Sequence, residues 1–130
     1  MIVADTNLSA YLVMDSPYSE PAQRARIADP HWIAPLLWRS EIRNVLATHI
    51  RANLLTLRNA LERLNALELM FEQRLYEVPS STVLELASKT GCSSYDCEFV
   101  ALARLNDCPL STMDNRLGKS FPDTARLLAA

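Results

Sequence analysis

Two hydrophobic rhythms alternate along this chain: short unbroken apolar runs, and longer stretches with apolar residues every three or four positions. Met1–Ala4 is apolar and ends at Asp5-Thr6-Asn7, which predicts a buried strand running into a helix cap. A helix is expected from about Asn7 to Met14, then a turn at Asp15-Ser16-Pro17. Ser19-Glu20-Pro21 has the composition of a helix start, and that helix should stop near Ala28-Asp29-Pro30. Trp32-Ile33-Ala34 predicts a second strand, closed by Pro35.

From Leu36 to about Ala52 the period is helical, with Trp38, Ile42, Val45, Leu46, His49 and Ile50 on one wide apolar face. A second helix, about Leu55 to Phe71, carries Leu57, Leu61, Leu64 and Phe71 with charges between them. The two predict a hairpin with Arg51, Arg58 and Arg63 on its solvent faces. Leu75–Val78 reads as a strand, followed by a helix capped by Ser80 or Ser81 and ended by Gly91. Ser93-Ser94 caps a helix from Tyr95 to Asn106 whose centre, Phe99–Ala103, is apolar almost all round and therefore buried. Leu110–Met113 predicts a strand, Asn115–Ser120 a short helical turn, and Ala125–Leu128 a last strand. Strands alternating with helices predict an α/β fold, a parallel sheet with helices on both faces.

At 130 residues the chain fits one domain, and 49% hydrophobic residues supply a real core. Its two glycines, Gly91 and Gly118, form no Gly-rich phosphate loop, which counts against a dinucleotide or P-loop fold. The opening run is too short for a signal peptide, and no run approaches a membrane span, so a soluble cytoplasmic protein is expected. The net charge of −2 argues against strong non-specific affinity for nucleic acid without excluding it. Cys92, Cys97 and Cys108 show no metal spacing and read as reduced thiols in the core.

Four acids change the picture. Asp5 and Asp114 each follow a short strand, and Glu41 and Asp96 lie early in two apolar helices. Ligand sites in open parallel sheets form just outside the carboxyl ends of strands. Converging carboxylates there repel, by roughly 4 kcal/mol for two unit charges at 4 Å and an effective dielectric of 20. A hard divalent cation with oxygen ligands removes that cost. Taken singly, Asp5 fits an N-cap, Asp96 a favourable first-turn position and Asp114 a turn or cap. Glu41 is harder to place that way, because its helical neighbours Leu37, Trp38, Asn44 and Val45 border the apolar face while Arg39 and Arg43 point elsewhere. Asp96 shares a face with Phe99, Val100 and Ala103 and is likewise expected to lack a basic partner. Such carboxylates raise their pKa or find a cation. Hydrolase and zinc chemistries fare worse: there is no Gly-x-Ser-x-Gly elbow, and His31 and His49 are the only histidines.

Val3-Ala4-Asp5-Thr6-Asn7, Glu41–Leu46, Ser94–Ala103 and Ser111–Leu117 resemble, in order, the four motifs of PIN domains, and Phe121–Leu128 resembles that family's last strand. The resemblance covers the whole chain, residues 1–130, as one PIN domain. It implies a five-stranded parallel sheet flanked by helices and a metal-dependent ribonuclease, in short free-standing bacterial members mostly a VapC-type toxin of a toxin–antitoxin pair. It carries catalytic and metal-binding roles onto Asp5, Glu41, Asp96 and Asp114, with Asn7 and Thr112 as polar support. It further implies Mg²⁺ or Mn²⁺, an RNA substrate, an antitoxin partner and a homodimer.

The mechanism expected is hydrolysis of an RNA phosphodiester by a metal-activated water. Asp5, Asp96 and Asp114 would hold one or two ions, with Glu41 binding or orienting a water. Arg39, Arg43 and Arg116 are candidates for phosphate contacts, and Glu98 for a further acid near the site. An antitoxin is expected to lay an amphipathic helix against the helix pair Leu36–Phe71. Two rivals remain open: a non-catalytic PIN-like scaffold that binds RNA or protein, and a phosphatase or receiver-like domain. The receiver version needs paired acids after the first strand, where Ala4-Asp5-Thr6 offers one.

Overall fold

The computed structural model describes residues 1–129. Strands β1 (Ile2–Ala4), β2 (Trp32–Pro35), β3 (Leu75–Tyr76), β4 (Leu110–Thr112) and β5 (Ala125–Leu127) form one five-stranded sheet in the order β3-β2-β1-β4-β5. Every pairing is parallel. All residues of β1, β2 and β4 are buried, so both sheet faces are covered, as parallel sheets require. The short edge strands β3 and β5 are only partly covered.

The chain builds outward from β1 to β2 and β3, then returns to the other side of β1 for β4 and β5. Between β1 and β4 the strand order reverses, which opens a crevice at their carboxyl ends. Seven helices connect the strands: α1 (Thr6–Tyr11), α2 (Ser19–Ala28), α3 (Leu37–Arg51), α4 (Leu57–Met70), α5 (Ser80–Lys89), α6 (Ser94–Leu105) and α7 (Asn115–Ser120). Helix α6 buries Cys97 and all of Phe99–Ala103, as its unbroken apolar centre predicts, and contacts β1, β2 and β4. Trp38 of α3 and Phe71 at the end of α4 are fully buried with ring centroids 4.4 Å apart, which fastens the α3–α4 hairpin.

Several local expectations are corrected. Helix α1 ends at Tyr11 rather than Met14: the Leu12 and Val13 N–H groups donate three residues back, to the Ser9 and Ala10 carbonyls, in a tightened last turn, and the Val13 and Met14 carbonyls beyond it accept from Arg63 and the Ser19 hydroxyl. Arg63 is therefore half-buried and not on a solvent face. The expected face of α4 is half right: Phe71 is buried and Leu64 packs against the core, with Ala60 and Leu67 buried beside them, whereas Leu57 and Leu61 are 63% and 50% exposed. Pro79, not Ser80 or Ser81, occupies the N-cap of α5. Gly91 does not end that helix in a left-handed turn; Thr90 leaves it in extended conformation.

The left-handed stops belong to Asn53 (φ 59°) and Asp107 (φ 49°), side chains that tolerate this region. After α3 the Leu54 N–H reaches the His49 carbonyl at 2.9 Å, and after α6 the Cys108 N–H reaches the Ala103 carbonyl at 3.0 Å. Both are Schellman closures, and each satisfies carbonyls that a helix end leaves open.

Candidate active site

A cavity of about 480 Å³ opens at the reversal point between β1 and β4. Its walls include Asp5, Thr6 and Asn7 after β1, Glu41 with Ser40 and Asn44 of α3, Tyr95 and Asp96 of α6, and Asp114 and Arg116 after β4. The local folding that delivers these groups is simple. Asp5 and Asp114 each stand at the N-cap of a short helix that begins where a strand stops. Asp96 is brought in by the Ser93 cap, whose hydroxyl accepts the Asp96 N–H at 3.1 Å and so starts α6.

Two threonines orient the acids. The Thr112 hydroxyl, fully buried at the end of β4, donates to Asp5 Oδ2 at 2.7 Å and accepts from the Asp114 N–H at 3.0 Å. The Thr6 hydroxyl donates to Glu41 Oε1 at 2.7 Å across the α1–α3 contact. Asp5 lines the cavity and makes no capping hydrogen bond to its helix. Asp114 does cap α7, accepting from the Arg116 N–H at 2.8 Å.

The electrostatics follow from burial. Loss of hydration pushes the Asp5 carboxyl above its ordinary 3.8, with the charges of Asp96 and Asp114 adding to the rise and the Thr112 bond opposing it. Glu41 is likewise raised above 4.5, by burial first and then by Asp5, Asp96 and Glu98, against the Thr6 bond. The expectation that Asp96 lacks a basic partner is corrected. Arg116 places Nη2 at 2.8 Å from Asp96 Oδ2 and 3.5 Å from Asp114 Oδ2. The spacing of residues within α6 does not register a partner that comes from α7.

Among the described residues no three His, Cys, Asp or Glu side chains close into a group ready to hold an ion. The donor set nevertheless suits a hard divalent cation in kind: four carboxylates on one cavity, two of them raised by burial and mutual repulsion. Asp5, Asp96 and Asp114 line that cavity, and Glu41 lines it from α3.

All four acids and Asn7 reach the cavity, while Thr112 acts from behind Asp5 rather than lining it. Of the three arginines singled out, only Arg116 is there; Arg39 borders a different cavity beside Leu69 and Phe71. Glu98 is half-buried on α6 and does not line the cavity, although its charge acts on Glu41. Thr6 and the exposed Tyr95 were missed. A hydroxyl after a strand-end acid is a weak signal, and nothing local announces a partner 35 positions away. No pairing of the three cysteines is present, and Cys92 and Cys97 are buried.

Comparison with known proteins gives a consistent picture. The fold is similar to the crystal structure of FitAcB from Neisseria gonorrhoeae, with a TM-score of 0.75 and 19% identity over 98% of this chain and 96% of that one. It is also similar to a toxin–antitoxin complex from Klebsiella pneumoniae, with a TM-score of 0.68 and 18% identity over 95% and 92% of the two chains. No curated protein matches the sequence. The PIN domain model matches residues 2–126, nearly the entire sheet and all seven helices, and the chain belongs to the PIN domain family.

Proposed function

We propose that this protein is a divalent-metal-dependent ribonuclease and the toxin of a toxin–antitoxin pair, of the VapC type. The observation that carries the reading is the meeting of Asp5, Glu41, Asp96 and Asp114 on one cavity at the reversal point of a parallel sheet. Membership of the PIN family, whose members are generally nucleases, supports the chemistry. The fold shared with a toxin–antitoxin complex supports the biological setting.

In this reading Asp5, Asp96 and Asp114 would hold Mg²⁺ or Mn²⁺, which would activate a water and offset charge developing on the phosphate. The chain's own residues do the rest. Thr112 fixes the Asp5 carboxylate and the Asp114 backbone together, so the two strand-end acids keep their spacing. Glu41, raised in pKa and held by Thr6, is poised to orient a water or take up its proton. Asn7 offers an exposed amide at the rim. An antitoxin segment would cover the α3–α4 pair, where Leu54, Leu57, Leu61 and Leu69 are exposed. The protein is proposed to act as a homodimer in the cytoplasm; no helix among the described residues is long and apolar enough to cross a membrane. A monomer at high concentration in light scattering would count against the dimer.

One observation favours a second reading, a non-catalytic PIN scaffold that binds RNA or protein: Arg116 already bridges two of the acids, Asp96 and Asp114. Incubating the purified protein with mixed RNA pools, in Mn²⁺ and in chelator, separates the two. Chelator-sensitive cleavage supports the nuclease, and intact RNA in both arms supports the scaffold.

A further inference from the structure

We propose that Arg116 is a substrate-binding residue of this site, its guanidinium held on Asp96 and Asp114 until a divalent ion takes those oxygens and releases it to the RNA phosphate. The inference rests on the nuclease reading of the cavity.

Among the described residues Arg116 is the only basic side chain lining that cavity. Its position is anchored by its own N–H on Asp114 Oδ1 at 2.8 Å, while the guanidinium holds Asp96 Oδ2 at 2.8 Å and Asp114 Oδ2 at 3.5 Å. The oxygens it holds therefore belong to two of the three acids proposed to ligate an ion. A single positive charge cannot neutralise four carboxylates, and among the described residues no basic side chain pairs with Asp5 or Glu41. A divalent ion is the stronger neutraliser of the cluster, and guanidinium and ion compete for the same oxygens.

Displacement costs little. The Arg116 side chain is 62% exposed, and an exposed pair of this kind shifts an equilibrium by about fivefold or less. Once released, the guanidinium stays tethered two residues from Asp114 and faces the cavity. A planar fork of N–H donors suits phosphate oxygens there. In the resting protein the same contact holds the acids against their mutual repulsion, so one side chain serves the empty and the loaded site in turn.

The test uses the whole protein and two readouts that should move in opposite directions. Mn²⁺ is titrated into wild type, Arg116→Ala and Arg116→Lys without RNA, following the electron paramagnetic resonance signal of free hydrated Mn²⁺. Arg116→Ala should bind Mn²⁺ about two- to fivefold more tightly, with the lysine variant between. At saturating Mn²⁺, cleavage of a single-stranded RNA pool by Arg116→Ala should fall about 10- to 100-fold, the worth of a charge-assisted hydrogen bond. Unchanged or weaker Mn²⁺ binding in Arg116→Ala overturns the competition, and undiminished cleavage overturns the phosphate contact. If wild type cleaves no RNA the nuclease reading fails instead, while the Mn²⁺ titration still decides the competition. Circular dichroism melts of the variants show that each remains folded.

Discussion

Thr112 and Asp5 lie 107 positions apart in the chain and 2.7 Å apart in the fold. The hydroxyl that joins them also receives the Asp114 N–H, so one buried oxygen sets the relation between the two acids at the ends of β1 and β4. Replacing it with a methyl group keeps the shape and removes both bonds. Thr112→Val should cost about 1–3 kcal/mol, the penalty for leaving buried polar partners unmet. Urea unfolding measures that loss, and Thr112→Ser should recover most of it. A valine variant as stable as wild type would show that the hydroxyl does not hold the acids.

Asp5 and Glu41 make stability depend on pH in the metal-free protein. Both carboxyls are raised in the folded state above 3.8 and 4.5, so over the interval just above those values the native chain binds protons that the unfolded chain has lost. Stability then falls as pH rises through that interval and is lower at neutral pH than these groups alone would allow in water. Asp5→Asn should flatten part of this slope and raise the stability measured in chelator at pH 7. A less stable Asp5→Asn protein under those conditions would contradict the account.

The same repulsion predicts a thermal response to cations. An ion that binds only the folded chain stabilises it by about 2.7 kcal/mol at one hundred times its dissociation constant. Differential scanning calorimetry should show the melting temperature rising with Mn²⁺ for wild type and staying flat for Asp96→Asn. The same variant, like Asp5→Asn, should lose metal-dependent RNA cleavage. Full activity in either would remove those acids from their proposed roles.

Helix α4 offers a test of packing away from the site. Leu67 is buried and Leu61, on a different face of the same helix, is half exposed. Leu67→Ala should cost about 2–5 kcal/mol, as in other cores, whereas Leu61→Ala should change stability by no more than about 0.5 kcal/mol. Chemical denaturation of the two variants decides the orientation of the helix, and equal losses would reject it.

Much of the fold was legible before any coordinates. The apolar runs of β1, β2 and β4 and the all-round apolar centre of α6 announce themselves because burial on two faces leaves no room for polar alternation. The short edge strand β3 extends over two residues rather than four, since an edge has one partner and less to bury. On α4 periodicity finds Leu64 and Phe71 but also selects the exposed Leu57 and Leu61, because leucines occur on more than one of its sides. Asn53 and Asp107 end α3 and α6 in the left-handed conformation without a glycine, whereas Gly91, expected to end α5 that way, leaves its backbone freedom unused.

For the candidate site the division is similar. Four strand-end and helix-start acids, and the family they point to, follow from residue type and position along the chain, because parallel sheets place such positions at one edge. The bonds Thr112–Asp5, Thr6–Glu41 and Arg116–Asp96 join residues 107, 35 and 20 positions apart. Only tertiary packing decides those partnerships: local spacing governs which face of an element a side chain occupies, but the group it meets there comes from whichever element folds against it.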